Sequence, residues 1–421
     1  MKQTQLSGPV LSLIVLALAA PAVAQDPPPP PPPVTEPPPE PPPPPPPAAE
    51  PTPLAGAPAA EAPPPAELKW YEPVASPLKI ETPTSNIKFG LLLQPQFESL
   101  GSPTLDGMSN NLFLRRTRVL IGGALFKDLE FFFETESANL FKAGADGQKA
   151  SAGVNVQDAF LTYKFLGDQL KLDVGYMLTP NSHNALQSAA SLFGLDYFAY
   201  SFLHSNSFNS ATPPAGRDLG LQLRGLVVDG LLEYRLGMFQ GLREPASEPP
   251  ADVASQNMFR VMARLQLNLF DPETGFFYGG TYLGAKKVLS FGAAFDFQDE
   301  YKYFALDGLL DMPLGPGVIT AQVNFAQWDG GEFIPALVKQ NAIMAEAGYT
   351  FAGAKLAPIL RFETRNISDG DAGDETRISA GLSYWAHGHN FNVKAFFTRV
   401  GVSDPGEDYN AFNLQTQLFV F

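Results

Sequence analysis

From Ile87 to Phe421 the chain repeats one pattern about sixteen times: roughly ten residues alternating apolar and polar, then a turn, with no long apolar run between. Successive side chains of a strand point to opposite faces, so every segment has one greasy and one wet side. In the first, Ile87, Phe89, Leu91, Leu93, Pro95 and Phe97 share one face, and Lys88, Gly90, Gln94, Gln96 and Glu98 share the other. Alternation at this length predicts an all-β fold, a transmembrane antiparallel β-barrel of about 16 strands. A soluble sandwich alternates too. The solvent is therefore decided by the density of aromatic residues and by the address at the N-terminus.

Met1 to Ala24 carries Lys2, an apolar stretch from Val10 to Ala20, and then Ala22-Val23-Ala24, the small-x-small form of a signal peptidase site. The apolar stretch falls short of the roughly 20 residues that span a bilayer. Residues 1–24 therefore read as a cleaved export signal, with the mature chain starting at Gln25. Cysteine is absent, which excludes a small disulfide scaffold. A barrel needs no disulfide, because closure satisfies its backbone groups internally.

Residues 25–85 form a second segment. Positions 26–85 hold 26 of the 42 prolines, in runs such as Pro27 to Pro33 and Pro41 to Pro47. Proline fixes φ and removes the amide donor, so this stretch predicts an extended, disordered polyproline II linker that builds no core. At about 3.1 Å per residue, a stiff run of forty would reach on the order of 100 Å, enough to cross much of a periplasm and touch peptidoglycan. The formal charge is −15, with 43 acids and 28 bases. About −10 of it belongs to residues 86–421, which excludes nucleic acid as a partner.

Within 86–421, strands are predicted at 87–97, 112–125, 129–136, 155–165, 170–178, 217–227, 231–240 and 258–269. The second half supplies 288–298, 302–311, 317–327, 340–351, 355–365, 376–386, 389–399 and 410–420. Short turns, such as Phe126-Lys127-Asp128 and Val228-Asp229-Gly230, alternate with longer loops such as 137–154. In bacterial barrels the short turns face the periplasm and the long loops face outward. Two connections break this alternation: 270–287 is long on the inner side, and 299–301 is short on the outer side. The last strand is ambiguous in parity, since Phe421 and Phe419 lead back to Gln417, Gln415 and Asn413, while Val420 leads back to Leu418 and Leu414. A local irregularity near its end is expected.

The longest connection, Thr179 to Gly216, is the third outer loop and is rich in aromatics and small residues, including Phe193, Tyr197, Phe198, Tyr200 and Phe202. A loop this long is seldom free in solvent, and this one is expected to fold into the barrel and narrow it.

If the apolar parity faces lipid, the wet parity lists the lumen. It places Arg116, Arg118, Arg224, Arg235, Arg260, Arg264, Arg361, Arg365, Arg377 and Lys394 inside, together with Glu130, Glu134, Glu136, Asp158, Asp173, Glu233, Asp296, Glu346 and Glu363. Insertion alone requires this, because an Arg or Lys on the lipid face costs about 2–4 kcal/mol at mid-membrane. Clustering adds a sharper expectation. Arg224, Arg235, Arg260 and Arg264 fall on three consecutive strands, and Glu130, Glu134, Glu136 and Asp158 fall on two others. Opposed basic and acidic walls would set a transverse field across a constriction.

Other chemistry is sparse. Ser182-His183 and His204-Ser205 in the third loop invite a serine hydrolase reading, but neighbours in sequence do not make a nucleophile and base, and no orienting acid is evident. His387 and His389 are two imidazoles without a third ligand nearby, so they read as turn residues rather than a metal site. Phosphate loops of Walker or Rossmann form are absent. No catalytic residue, metal or cofactor is expected.

Four stretches resemble the phosphate-selective porin O and P family: FLRRTRVLIGGALFKD (Phe113 to Asp128), DAFLTYKFLGDQLKLDVGYMLT (Asp158 to Thr179), GRDLGLQLRG (Gly216 to Gly225) and GLSYWAHGHNFNVK (Gly381 to Lys394). The resemblance implies a sixteen-stranded, trimeric outer-membrane channel with an inward third loop. It also implies wall arginines, matched by Arg224, Arg235, Arg260 and Arg264, and a lysine-rich entrance. Residues 179–216 contain no lysine, so the entrance of a phosphate concentrator has no counterpart. The expected function is passive diffusion of small solutes or inorganic anions across the outer membrane, leaning toward anions. A structural barrel that ties the membrane to the cell wall through the proline-rich segment is the alternative.

Overall fold

The computed structural model describes residues 78–421 apart from 102–106, 145, 151–152, 204–215, 244–257, 369–372 and 404–405. Residues 1–24, read as an export signal, and most of the proline-rich segment lie outside the described residues, as does His204-Ser205.

The strands are β1 (Leu78–Glu81), β2 (Asn86–Gly101), β3 (Met108–Phe126), β4 (Leu129–Glu136), β5 (Asn155–Lys164) and β6 (Lys171–Leu178). They continue as β7 (Arg217–Val227), β8 (Leu232–Phe239), β9 (Arg260–Asn268), β10 (Val288–Gln298), β11 (Tyr301–Leu314) and β12 (Gly317–Asp329). The last five are β13 (Gln340–Phe351), β14 (Leu356–Ile367), β15 (Glu375–His387), β16 (Phe391–Val402) and β17 (Tyr409–Val420). From β2 onward each strand pairs antiparallel with the next, and β17 pairs with β2. The sheet therefore closes as a sixteen-stranded barrel. Closure leaves none of these strands as an edge, which is what lets a sheet cross a bilayer.

All sixteen expected strands are present, including those flanking the two anomalous connections. The outer one is a tight turn in which Asp299 takes a φ of 56°. The inner one, 269–287, is long because it enters the barrel. One strand was not legible: β1 lies inside the stretch read as linker and pairs with β2 from Leu78↔Phe89 to Glu81↔Asn86. It occupies the same edge of β2 as β17 and begins where β17 ends at Val420↔Leu91.

Side chains follow the parity of the pattern. Leu161, Val174, Leu221, Leu265, Phe295, Val323, Ile343, Leu360, Ile378 and Phe397 stand exposed on the outer surface, while Gln94, Arg116, Asp173, Gln222, Glu346 and Gln415 are buried within. A soluble protein would reverse this. The apolar belt marks the surface that lipid covers.

The expected irregularity of the last strand is not there. Asn413, Gln415 and Gln417 are buried in unbroken alternation with exposed Leu414 and Leu418, and Phe419 and Phe421 pack inward against Leu92 and Leu120. Gly90 and Gly122 make room for the terminal ring, since a Cβ at either would come within 2.6–2.8 Å of Phe421 atoms. The break lies instead between Gln94 and Pro95 on the neighbouring strand, where Gln94 pairs with Arg116 and Pro95 with Leu114. Proline cannot donate to the ladder, and Arg115 becomes the extra residue of a bulge.

The described part of the third outer loop, residues 179–203, folds into the barrel. Thr179 to Gln187 is buried throughout and contains the one-turn helix α1 (His183–Leu186), capped by Ser182, whose hydroxyl accepts from the Ala185 amide at 3.2 Å. A loop placed in a lumen needs partners for its backbone groups, and wall residues supply them. Gln417 donates to the Ala190 carbonyl at 2.8 Å. Lys394 donates to the Leu192 and Gly194 carbonyls at 2.6 and 2.7 Å. Arg361 donates to the carbonyls of Asp196 and Tyr197 at 2.8 and 3.1 Å, and Glu363 accepts from the Ala199 amide at 3.0 Å.

Candidate functional site

Two cavities flank this inward loop. The larger, about 630 Å³, opens on the side of the long loops and has Leu195 to Ala199 as its floor. Among the described residues its walls carry seven basic side chains, Arg115, Arg116, Arg118, Lys142, Arg217, Arg361 and Arg377, against four acidic ones, Glu98, Glu136, Asp196 and Glu363. The smaller, about 80 Å³, lies toward the short turns, lined by Leu120, Phe132, Glu134, Gln187, Ser188, Ala189, Phe277, Phe419 and Phe421. Arg118, Tyr197 and Arg217 border both cavities. These three side chains form the waist between the outer vestibule and the inner chamber.

Each waist residue is held. Arg118 on β3 donates to Glu136 at 2.5 Å and to Glu134 at 3.3 Å. Arg217, which opens β7, donates to Asp158 on β5 at 3.1 Å. Between them, Gln157 with its amide oxygen turned toward the guanidiniums accepts from Arg217 at 3.0 Å and from Arg118 at 3.2 Å. Tyr197 donates its hydroxyl to the Gln187 carbonyl at 2.7 Å and lies under Arg116, whose guanidinium is 5.4 Å from the ring centre. Asp196, next to it on the loop, takes Arg115 at 2.8 Å and Arg116 at 2.5 Å.

The sequence-derived candidates divide sharply around this geometry. Arg116, Arg118, Arg361, Arg377 and Glu136 border the vestibule, and Glu134 borders the inner chamber. Arg224, Arg235, Arg260, Arg264, Lys394, Asp158 and Glu130 line neither cavity. Glu130 pairs with Lys164 at 2.5 Å near a short turn, and Lys394 anchors the loop.

The expected basic wall takes a different form. Arg224, Arg235 and Arg264 do sit in one cross-strand row, Arg224↔Arg235↔Arg264, but the row is neutralised and covered. Arg224 meets Asp173 at 2.7 Å, Arg235 meets Glu233 at 2.8 Å, Arg264 meets Asp307 at 2.6 Å and Arg260 meets Asp296 at 2.5 Å. Phe276 and Tyr278 of the inner connection 269–287 then lie over it, with Tyr278 4.6 Å from the Arg235 guanidinium and Phe276 5.4 Å from that of Arg224. The acids expected to oppose this wall are matched as well, Glu134 and Glu136 by Arg118 and Asp158 by Arg217. Burying an unpaired charge is so unfavourable that charges interleave rather than segregate. These basic and acidic side chains are paired with partners of opposite sign rather than segregated into two opposed walls.

Several lining residues escaped the sequence reading. Arg115 has the wrong parity for the lumen, and only the bulge opposite Pro95 turns it inward. Its signal was the proline inside an otherwise regular strand. Arg217 opens β7 on the parity of exposed Leu219 and Leu221 and is nonetheless buried beside both cavities. Lys142, Asp196 and Phe277 lie on loops, where strand parity assigns nothing, whereas Tyr197 and Phe202 belong to the loop already expected inside.

The hydrolase reading of Ser182 and His183 does not match the contacts. Ser182 caps α1, while His183 meets Glu273 through Nε2 at 2.8 Å and Gln187 through Nδ1 at 3.1 Å. His389 meets the Thr281 carbonyl at 3.0 Å through Nε2.

A closed sixteen-stranded barrel with an apolar belt, a polar lumen and a third loop folded across it defines a protein of the outer-membrane porin class. Residues 92–197 match the family of phosphate-selective porin O and P, which supports that family for this chain. Similar folds include the outer membrane channel DcaP of Acinetobacter baumannii, 10% identical with a TM-score of 0.52, where the match covers 82% of this chain and 100% of that one. Another is OmpF of Salmonella typhi in complex with daunomycin, 13% identical with a TM-score of 0.53, covering 81% and 100%. At these identities the likeness concerns the fold alone. No curated protein matches the chain at a significant level.

Proposed function

We propose that the protein is a passive diffusion channel of the bacterial outer membrane whose outer vestibule favours anions. The observation that carries the anion preference is the excess of basic over acidic side chains among the described residues around the vestibule, seven against four. A water-filled mouth of one sign raises the local concentration of counter-ions. Two of those bases, Arg118 and Arg217, also meet the narrowed section, so charge bears on passage as well as on capture. In this reading the barrels assemble as a homotrimer, residues 1–24 direct export, and the proline-rich linker lies in the periplasm.

Reversal potentials in planar bilayers under a potassium chloride gradient test the proposal. Chloride should permeate better than potassium, and the double substitution R118Q/R217Q should lower that ratio. Equal permeabilities in both proteins would overturn the anion preference.

The tether alternative has one supporting feature: β1 leads the N-terminal segment to the rim that carries the short turns and the end of β17. Loss of co-sedimentation with purified peptidoglycan on deleting residues 26–67 would support a wall contact. Unchanged sedimentation would remove it.

A further inference from the structure

The inner chamber differs in character from the vestibule above it. Six of its walls are carbon surfaces, Leu120, Phe132, Ala189, Phe277, Phe419 and Phe421, with the Tyr197 ring at its upper end. Its charges are the two waist guanidiniums and Glu134, which faces Arg118 at 3.3 Å. The rings form a connected set: Phe132 is edge-on to Phe277 at 5.4 Å and to Phe421 at 5.7 Å. These rings come from three separate parts of the chain, a strand, the inward connection 269–287 and the last residue.

For a small, fully hydrated anion such a passage is unfavourable. Phosphate carries a tightly held water shell, and carbon walls offer nothing to replace it. Apolar constrictions in pores hinder conduction by shedding water. An anion with a flat apolar body meets the opposite balance, because its carboxylate can stay with Arg118 or Arg217 while its ring lies against Phe132, Phe277 and Phe421. A cavity of about 80 Å³ holds several waters, which an aromatic ring would displace from surfaces that bind water poorly.

From this arrangement we infer that the channel prefers aromatic monocarboxylates over hydrophilic anions of similar or smaller size. This rests on the reading of the protein as an anion-favouring channel, and it replaces inorganic phosphate as the preferred solute. Phe132, Phe277 and Phe421 set the specificity, and Arg118 and Arg217 hold the charged end.

The test compares benzoate, acetate and phosphate as potassium salts against chloride in planar bilayers at neutral pH, with protein-free membranes as the blank. Acetate carries the same carboxylate on a smaller body, so simple sieving makes benzoate the slower of the two. The expected result is benzoate permeating at least about twofold better than acetate, and both exceeding phosphate. In F132S/F277S, verified as a folded barrel by heat modifiability, the benzoate advantage should vanish. Benzoate slower than acetate in a chloride-preferring channel would overturn the aromatic preference alone. Potassium preference would overturn the anion reading beneath it. Bilayers that stay silent with correctly folded, heat-modifiable protein would overturn the channel itself.

Discussion

His183 Nε2 lies 2.8 Å from Glu273 Oε2 with both side chains almost wholly buried, although the two residues belong to connections that enter the barrel from opposite mouths. The contact is one of several. Tyr278 stacks on His183 at 4.7 Å, its amide donates to the Leu186 carbonyl at 2.9 Å, and its own carbonyl accepts from Ser188 at 2.9 Å. The outer loop and the inner connection thus form one body that seals the lumen beside β7 to β11. Both cavities lie against the remaining wall.

The sealed side should bear on stability and not on selectivity. Arg264 donates to Asp307 at 2.6 and 2.8 Å with almost no exposure, so R264Q leaves a buried carboxylate without its main partner. A loss of about 3–5 kcal/mol is expected for breaking a pair of this kind, read as a lower urea midpoint in refolding from vesicles. The chloride-to-potassium ratio should stay unchanged.

On the open side the reverse holds. Asp196 neutralises Arg115 and Arg116 at the vestibule floor, so D196N removes their common counter-charge. Anion preference should rise by roughly twofold or more through the local potential, measured as a shift in reversal potential. A fall would mean that Asp196 holds the loop more than it screens the arginines.

Lys394 acts on the loop's position. Its ammonium reaches the Leu192 and Gly194 carbonyls, and hydrogen bonds to charged groups are worth about 1.5–3 kcal/mol each. K394M keeps the length and removes the donor. Single-channel recording should show a larger and noisier conductance as the loop leaves its seat, whereas R264Q should show neither change.

The turn between β15 and β16 predicts a pH dependence. Burial lowers the His389 pKa to about 4, helped by the nearby Lys394 charge. The unfolded imidazole takes its proton near pH 6.5, so the unfolded state binds more protons between those values. The stability from neutral His389 is complete above about pH 6.5 and is lost as pH falls toward 4. The unfolding midpoint should drop across that interval in the native chain and drop less in H389Q, by intrinsic fluorescence.

Strand parity was legible because it is local. Each residue of β17 or β9 faces lipid or lumen according to the one before it, and the penalty for a charge in hydrocarbon enforces the rule at every step. The misplaced wall residues are Arg115, beside Pro95, where the missing amide breaks the period, and Arg217, the first residue of β7, which is buried inside although it shares the parity of exposed Leu219 and Leu221. Likewise β1 escaped notice among prolines, since four residues are too few to show an alternation.

The amino-acid sequence by itself determined the closed barrel, its sixteen strands, the lipid belt and the inward loop, because these depend on a two-residue period and on segment lengths. Tertiary structure alone decided which inward charges meet the open passage. Arg224 and Arg118 carry the same residue type on the same parity, yet Phe276 covers the first while the second stands at the waist. That difference arises from where residues 179–203 and 269–287 settle inside the barrel, through contacts such as His183 with Glu273 that join positions 90 residues apart. Pairing over such separations has no period, so the repeat that fixes the wall does not specify the passage.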